Sequence, residues 1–198
     1  MSAVLAATAL FSSAHAASIV ATFDTDTEGF GVDGGTLVQS PAGGNPGGFL
    51  EVTDTVGGFM ELLFPQGFLD EVADNARLNF DALTIAGNGG NLVEFGVVSL
   101  TGNGQTLNAD AFLLTPPPNV WTGGVLTFSA ATFNATQAVF EAVLDDLTSL
   151  TMTVERNTGI NEIIGIDNIE INPIPVPPAA ALMAGVLAVG AWRRRKTS

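Results

Sequence analysis

The stretch "RLNFDALTI", residues 77–85, alternates between less polar and more polar side chains. One side of the extended chain carries Leu78, Phe80, Ala82 and Thr84. The opposite side carries Asn79 and Asp81. A period of two predicts a strand with one buried face. Because such a face must be covered, we expect the strand to lie in a sheet that packs against a second layer.

Short runs of the same kind recur on both sides of this stretch, separated by Gly, Asn and Pro. The predicted strands are residues 18–23, 36–39, 49–54, 59–64, 77–85, 92–100, 106–114, 125–130, 150–155 and 165–171. About ten short strands broken by turns predict an all-β fold, a β-sandwich of the jelly-roll type. The predicted domain covers residues 17–172.

One segment departs from the strand pattern, "NATQAVFEAVLDDLTSL" at residues 134–150. Its apolar side chains fall at helical spacing: Val139, Phe140, Val143, Leu144 and Leu147. This spacing predicts one short amphipathic helix over residues 136–147, packed on an end of the sandwich. Asn134 and Thr136 are both suited to cap its start.

The charge of the chain is distributed unevenly. Its six basic residues are Arg77, Arg156 and the cluster Arg193–Lys196, while all 20 acidic residues lie between Asp24 and Glu170. The central domain is therefore more acidic than the formal charge of −14 for the whole chain. Such a surface repels phosphate backbones and excludes nucleic acid as a partner. It suits divalent cations or simple solubility.

The first 16 residues have the pattern of a secretory signal peptide. An apolar stretch is followed by small residues that end in Ala14-His15-Ala16, an A-x-A cleavage site. A buried N-terminal helix is the alternative. His15 is the only histidine, and the chain has no cysteine. A mature chain without His or Cys excludes Ser-His-Asp, Cys-His and His-ligated zinc chemistry.

The last 26 residues, 173–198, form a second terminal signal. An apolar run at about 179–192 precedes four basic residues, which predicts a transmembrane helix with a cytoplasmic basic end. The order of a proline motif, a short apolar helix and an arginine cluster resembles the PEP-CTERM sorting signal in its VPLPA variant. The residues that carry this resemblance are Ile174, Pro175, Val176, Pro177, Pro178, Arg193, Arg194 and Arg195. It implies recognition and cleavage by an exosortase; a plain membrane anchor is the alternative.

Several stretches of the central domain, taken in order, resemble the laminin B domain (laminin domain IV) of bacterial exported proteins. They are "FDTDTEGF", "NPGGFLEVTDTVGGFMELLFPQGFLDE", "LNFDAL", "AVFEAVLDDLTSLTMTVE" and "GIDNIEI". The residues that carry the likeness are Phe23, Asp24, Glu28, Gly29, Phe30, Gly47, Gly48, Leu147, Leu150, Gly165, Asp167 and Asn168. The resemblance implies a galactose-binding-like jelly roll, a fold shared with many carbohydrate-binding modules.

The acidic stretch "DTDTEG", which begins at Asp24, is the candidate calcium site. It copies the first half of an EF-hand loop, but position twelve is Gly35 and the flanks predict strands, which argues against an EF-hand. The jelly-roll resemblance implies a metal that joins the first and last strands. The expected ligands are Asp24, Asp26, Glu28 and Asp167. Solvated turn residues are the alternative reading of these acids.

The candidate glycan platform is Trp121, the single tryptophan of the central domain, which follows the stiff turn "TPPPN". A packed plug at the core or at an edge is the alternative role for its ring. We expect the neighbouring phenylalanines to belong to the core instead: Phe30, Phe49, Phe59, Phe64 and Phe68.

Together these features predict a non-catalytic exported protein of a bacterial cell surface or extracellular matrix. Its expected partners are an extracellular polysaccharide, the membrane before processing, and the exosortase. A structural surface protein without a specific ligand is one alternative. A carbohydrate-active enzyme is the other, and it would need two carboxylates placed across a cleft.

Overall fold

The computed structural model describes residues 18–56, 59–87, 95–111, 118–155 and 162–172. These residues belong to one compact unit, Ser18–Ile174. The predicted signal peptide, sorting motif and transmembrane helix lie outside the described residues. Within the described ranges, no helix combines the length and the apolar character needed to span a membrane.

The described residues form two antiparallel sheets with two short helices. The strands are β1 Ile19–Ala21, β2 Gly31–Asp33, β3 Gly35–Gly44, β4 Gly47–Asp54, β5 Glu61–Leu63, β6 Arg77–Ala86, β7 Val97–Gly102, β8 Gln105–Asp110, β9 Thr122–Thr127, β10 Leu147–Thr153 and β11 Ile163–Asn172. The helices are α1 Gln66–Leu69 and α2 Gln137–Asp145. The first sheet has the order β3-β4-β11-β6-β9, with β1 also paired to β11, and the second has the order β2-β5-β10-β7-β8. The predicted β-sandwich with a short helix is confirmed.

The alternation that predicted β6 is realised in the structure. Leu78, Phe80, Ala82 and Thr84 are buried, whereas Asn79 and Asp81 are partly exposed. β6 lies between β11 and β9, so it is an interior strand of the first sheet. Each large apolar side chain that is fully buried there stabilises the fold by about 1.5–3 kcal/mol. The apolar residues of the alternating pattern are therefore the ones that β6 contributes to the core between the sheets.

Two elements were not predicted, and one predicted core residue was wrong. β2 and α1 have three and four residues, too few to show a period in the sequence. Phe59 was expected in the core but is 60% exposed. Met60 and Leu62 are buried, so alternation along the chain turns Phe59 to the solvent side of the second sheet.

Helix α2 agrees with the prediction at its start and ends two residues early. Thr136 is the N-cap, and its Oγ1 accepts a hydrogen bond from the Val139 N–H at 3.4 Å. Phe140 and Val143 are the buried side chains of this helix. Leu147 does not extend the helix because it already pairs with Gly102 in the sheet.

Candidate functional site

The face of the first sheet that points away from the second sheet carries an aromatic pair. Phe49 is only 6% exposed, yet it is not part of the core cluster between the sheets. It is covered by Trp121, whose ring centroid lies 5.6 Å from that of Phe49 at an interplanar angle of 78°. We call the surface around this pair the outer face.

The position of the aromatic pair depends on a glycine in the central strand. A Cβ added to Gly165 on β11 would lie 3.1 Å from Trp121 Cη2 and 3.2 Å from Phe49 Cδ2. A side chain there would therefore force both rings to shift by a few tenths of an ångström. Gly165 pairs with Glu51 on β4 and Leu83 on β6, so the rings lie over the middle of the sheet.

The indole of Trp121 is held in one orientation. Its Nε1–H donates to the Gly43 carbonyl oxygen at 3.1 Å, and the side chain is half-buried. Trp121 is thus placed on the outer face and outside the core cluster. The contacts that fix the ring also pack it against the edge of the sheet. This geometry is therefore compatible with both roles expected from the sequence, a platform for a glycan and a packed plug.

A cluster of carboxylates and amides lies beside the aromatic pair, where the β3–β4 turn meets β6 and β11. We call it the amide-bound cluster. The members are Asp24, Asn45, Asp81, Asp167 and Asn168. Asp167 is fully buried and accepts hydrogen bonds from the backbone N–H groups of Asn45 at 2.6 Å and Asn168 at 2.7 Å. The Asn168 Nδ2 group donates to Asp81 Oδ2 at 2.9 Å and also to the Asn45 carbonyl oxygen.

The burial of Asp167 changes its acidity. Loss of solvation raises the pKa of its carboxyl group above the ordinary value. The two backbone N–H donors, from Asn45 and Asn168, lower that pKa in part. The nearby charges of Asp81 and Asp24 raise it again. The cluster is therefore a place where negative charge is concentrated and only partly balanced by N–H donors.

Three glycines let the β3–β4 turn approach these carboxylates. A Cβ on Gly44 would lie 2.1 Å from the Gly48 carbonyl oxygen and 2.7 Å from Asp167 Oδ2. A Cβ on Gly47, which has φ +92°, would lie 2.2 Å from Asp24 Oδ1. The Gly48 N–H donates to that Asp24 oxygen at 3.1 Å. The turn thus contacts the acid near the first strand and the acid on the last strand.

The structure treats the four predicted calcium ligands differently. Asp24 and Asp167 both bind the β3–β4 turn, so it brings them to one place. Asp26 and Glu28 instead close a local turn: Asp26 Oδ1 accepts from the Glu28 N–H at 2.6 Å, and Glu28 Oε1 accepts from the Phe23 N–H at 2.7 Å. No three His, Cys, Asp or Glu side chains within the described ranges are arranged to hold a metal ion. Calcium binding stays a prediction.

Three members of the cluster were not predicted: Asn45, Asp81 and Asn168. Asn168 has φ +49°, and the pairing of β11 with β6 shifts register between Asp167 and Glu170. The sequence signal for this bulge was the polar pair Asp167-Asn168 inside an otherwise alternating strand. Asp81 lies on the polar side of β6 that the sequence had already identified, but nothing local indicated its partners.

Comparison with known proteins gives similar folds at low sequence identity. The CBM22-1 xylan-binding domain of Paenibacillus barcinonensis Xyn10C is 16% identical, with a TM-score of 0.53 over 80% of this chain and 94% of that one. The C-terminal family 22 carbohydrate-binding module of Clostridium thermocellum Xyn10B is 15% identical, with a TM-score of 0.55 over 80% and 95%. The L4b domain of human laminin alpha-2 is 10% identical, with a TM-score of 0.54 over 78% and 96%.

These likenesses establish the fold. The chain has the β-sandwich of carbohydrate-binding modules and of a laminin domain, so the predicted laminin-like sandwich is confirmed at the level of architecture. No protein-family model matches the sequence, and no curated protein matches it significantly.

Proposed function

We propose that this protein is a non-catalytic, exported module that binds a polysaccharide through its outer face. The observation that carries the proposal is the half-buried Trp121, fixed over Gly165 and Phe49 beside the amide-bound cluster. The similar solved structures that are named as xylan-binding or carbohydrate-binding modules support it. The laminin domain among them is compatible with a matrix role.

The chemistry of the outer face suits a sugar chain. An aromatic ring offers an apolar surface against which the C–H face of a sugar ring packs. The neighbouring Asp81 carboxylate and Asn45 amide can accept and donate hydrogen bonds to hydroxyl groups, and both residues are at least partly exposed. An apolar platform with a few polar groups beside it is the usual composition of a small-ligand site.

Binding can be tested by calorimetric titration of the full-length protein with xylan, cellulose and agarose oligosaccharides. Trp121→Ala removes the platform, and we expect it to weaken binding at least tenfold. Phe59→Ala is the matched control because Phe59 is an exposed aromatic of the second sheet. Absence of binding to every glycan, with calcium and with EDTA, would instead favour a structural surface protein without a specific ligand.

Catalysis is tested on the same samples. A carbohydrate-active enzyme would release reducing sugar from one of these polysaccharides, and a single Asp or Glu to Ala change would abolish that release. We expect no turnover. The solved structures that are named as binding modules or as a laminin domain support this expectation.

We further propose that the amide-bound cluster holds a structural calcium ion. The support is a buried carboxylate, Asp167, with two more carboxylates close enough to raise its pKa. Carboxylate and carbonyl oxygens are the ligands that calcium prefers. In this proposal Asp24 and Asp167 are the carboxylate ligands, while Asp26 and Glu28 shape the turn beside them.

Export and sorting rest on the two terminal segments of the sequence. We propose cleavage after Ala16 and recognition of the motif Ile174–Pro178, with the basic cluster at Arg193–Arg195, by an exosortase. The membrane helix of the tail would hold the protein until processing, and the cell surface or matrix would be its destination. Mass spectrometry of both ends of the native protein tests this directly. Two intact ends on a protein in the cytoplasmic fraction would refute it.

A further inference from the structure

A second group of acids lies inside the sandwich, away from the outer face. Asp54, Glu155 and Glu162 are 1%, 2% and 1% exposed, which is unusual for carboxylates. Asp54 ends β4 and Glu162 precedes β11, so both belong to the first sheet. Glu155 follows β10 and belongs to the second sheet. We call this group the inter-sheet cluster because its carboxylates come from both layers.

The backbone around the inter-sheet cluster is tightly connected within each sheet. The Asp54 N–H donates to the Glu162 carbonyl oxygen at 2.9 Å, which continues the pairing of β4 with β11. The Val154 N–H donates to the Met60 carbonyl oxygen at 2.9 Å, which continues the pairing of β10 with β5. A Cβ on Gly87 would lie 3.0 Å from the Glu162 Cα, so the residue that follows β6 packs closely against Glu162. The three acids are therefore buried at the same end of the sandwich, where the charges of Glu162 and Asp54 act on Glu155.

Glu155 is the member of this cluster whose charge is poorly compensated. Neither of its carboxylate oxygens has a hydrogen-bond partner, although both are buried. In contrast, Asp54 Oδ1 accepts the Val56 N–H at 2.9 Å. A buried carboxylate without hydrogen bonds is costly when ionised and much less costly when protonated. The environment of Glu155 thus selects the neutral acid.

We propose that Glu155 is a proton-binding latch between the two sheets. When it is protonated, its O–H group can donate to a carboxylate of the first sheet and close this end of the sandwich. When it is ionised, a further negative charge faces Asp54 and Glu162 across the interior, and the two sheets separate more easily at this end.

The acidity of Glu155 agrees with this role. Burial raises the pKa of its carboxyl group to about 7 from 4.5, and the charges of Glu162 and Asp54 add to the increase. The Met60 backbone N–H, which does not reach hydrogen-bonding geometry with either oxygen, lowers the pKa only in part. Among the described residues, Asp54 on β4 and Glu162 before β11 are the titratable groups acting on Glu155. The two preceding residues, Thr153 at the end of β10 and Val154 after it, carry no charge.

The sign of the pH effect follows from the raised pKa in the folded state. The unfolded chain releases this proton near pH 4.5, whereas the folded chain keeps it until about pH 7. The stabilisation from the bound proton is complete below pH 4.5 and is lost as the pH rises through about 7. The latch is therefore closed in acid and weakened in mildly alkaline solution.

The test follows thermal unfolding of the full-length protein from pH 5 to pH 8, together with hydrogen exchange at the Asp54 and Val154 amides. We expect the wild-type midpoint to fall and both amides to lose protection, after correction for intrinsic exchange. Glu155→Gln should flatten both trends and raise the midpoint at pH 8 by about 2–4 °C. Glu141→Gln is the matched control because Glu141 is exposed on α2. It should behave as wild type.

Asp167 titrates in the same direction, so Asp167→Asn is measured in parallel and should leave the protection change at Asp54 and Val154 intact. If Glu155→Gln does not fold, Glu162→Gln should lower the pH at which protection is lost. The proposal fails if the wild-type amides show no pH-dependent loss, as expected if Arg156, outside the described residues, kept Glu155 ionised. It also fails if calcium alone restores protection at pH 8 and Glu155→Gln abolishes that response, because the cluster would then be a cation site.

Discussion

The two acidic clusters of this domain differ in how their carboxylates are solvated by the protein. In the amide-bound cluster, Asp167 accepts two backbone N–H groups and Asp24 accepts a third, from Gly48. In the inter-sheet cluster, neither oxygen of Glu155 accepts a hydrogen bond. Burial raises the pKa of Asp167 and of Glu155 alike. The N–H donors make the difference between the clusters, because they stabilise the charged form of Asp167 and oppose part of the increase that burial causes.

This difference assigns the clusters to different chemistry. In the amide-bound cluster, a carboxylate in its ionised form is suited to bind a cation or sugar hydroxyls at the surface. In the inter-sheet cluster, a carboxylate without N–H donors is suited to bind a proton. A variant in either cluster alters one side of this comparison.

The largest loss of stability is expected for Gly44→Ala, which disturbs the backbone of the turn that binds the amide-bound cluster. The new Cβ would lie 2.1 Å from the Gly48 carbonyl oxygen, so the β3–β4 turn must move away from Asp167. We expect a loss of about 3 kcal/mol in the free energy of unfolding, measured by urea denaturation. Gly67→Ala is the control, since its φ is not positive and the nearest atom to its Cβ, Ile19 Cδ1, would lie at an ordinary contact distance of 3.5 Å. Equal losses in both variants would show that the turn is not tightly packed.

The second effect concerns the N–H donors themselves. Asp167→Ala leaves the amides of Asn45 and Asn168 without their acceptor, so we expect a loss of about 2 kcal/mol at pH 7. Asp26→Ala serves as comparison because it removes a single N–H acceptor in an exposed turn. A loss no greater than that of Asp26→Ala would mean that the donors are satisfied by water.

The third effect tests calcium in the amide-bound cluster. At free calcium about ten times its dissociation constant, binding adds about 1.4 kcal/mol of stability, which EDTA should remove as a lower thermal midpoint. Asp167→Ala should abolish the sensitivity to EDTA, whereas Glu155→Gln should retain it. An unchanged wild-type midpoint in EDTA would rule out a stabilising calcium ion.

The smallest effect has the opposite sign and belongs to the inter-sheet cluster. Glu155→Gln should stabilise the domain at pH 8 by on the order of 1 kcal/mol, because it removes a negative charge without removing any hydrogen bond that Glu155 accepts. The same urea denaturation measures it. If Glu155→Gln destabilised the domain at every pH, the charged form of Glu155 would stabilise the fold, and the proposed difference between the two clusters would be wrong.

Much of the fold followed from short-range pattern. The period of two in residues 77–85 identified a buried face, and helical spacing identified α2, because both depend only on neighbours in the chain. Three-residue strands such as β2 and β5 depend on partners distant in sequence, so their bounds were missed or overextended. Phe59 was misassigned because hydrophobicity was given more weight than its place in the alternation.

The amide-bound cluster was predictable only in part. Asp24 and Asp167 were expected to meet because the first and last strands of this architecture are neighbours, and β1 does pair with β11. Asn45 joins them through a turn whose sequence, "GGNPGG", indicates a loop but not its contacts. The sequence contained one signal for the inter-sheet cluster. Asp54 lies on the same side of β4 as the buried Leu50 and Val52, so the alternation predicted a buried carboxylate there.

The position of β11 has a mechanical consequence. β11 is the central strand of the first sheet, bonded to β4 on one side and to β6 on the other. A pull applied at Asn172 therefore acts first on the long pairing with β6, which includes Asn172 itself, whereas β4 pairs only with the far end of β11, at Ile163–Ile166. β1 pairs with the same strand over three residues only, with Ile19 opposite Ile171. A pull at that end would peel these few bonds one after another, so the domain should resist load from its C-terminal side better than from its N-terminal side.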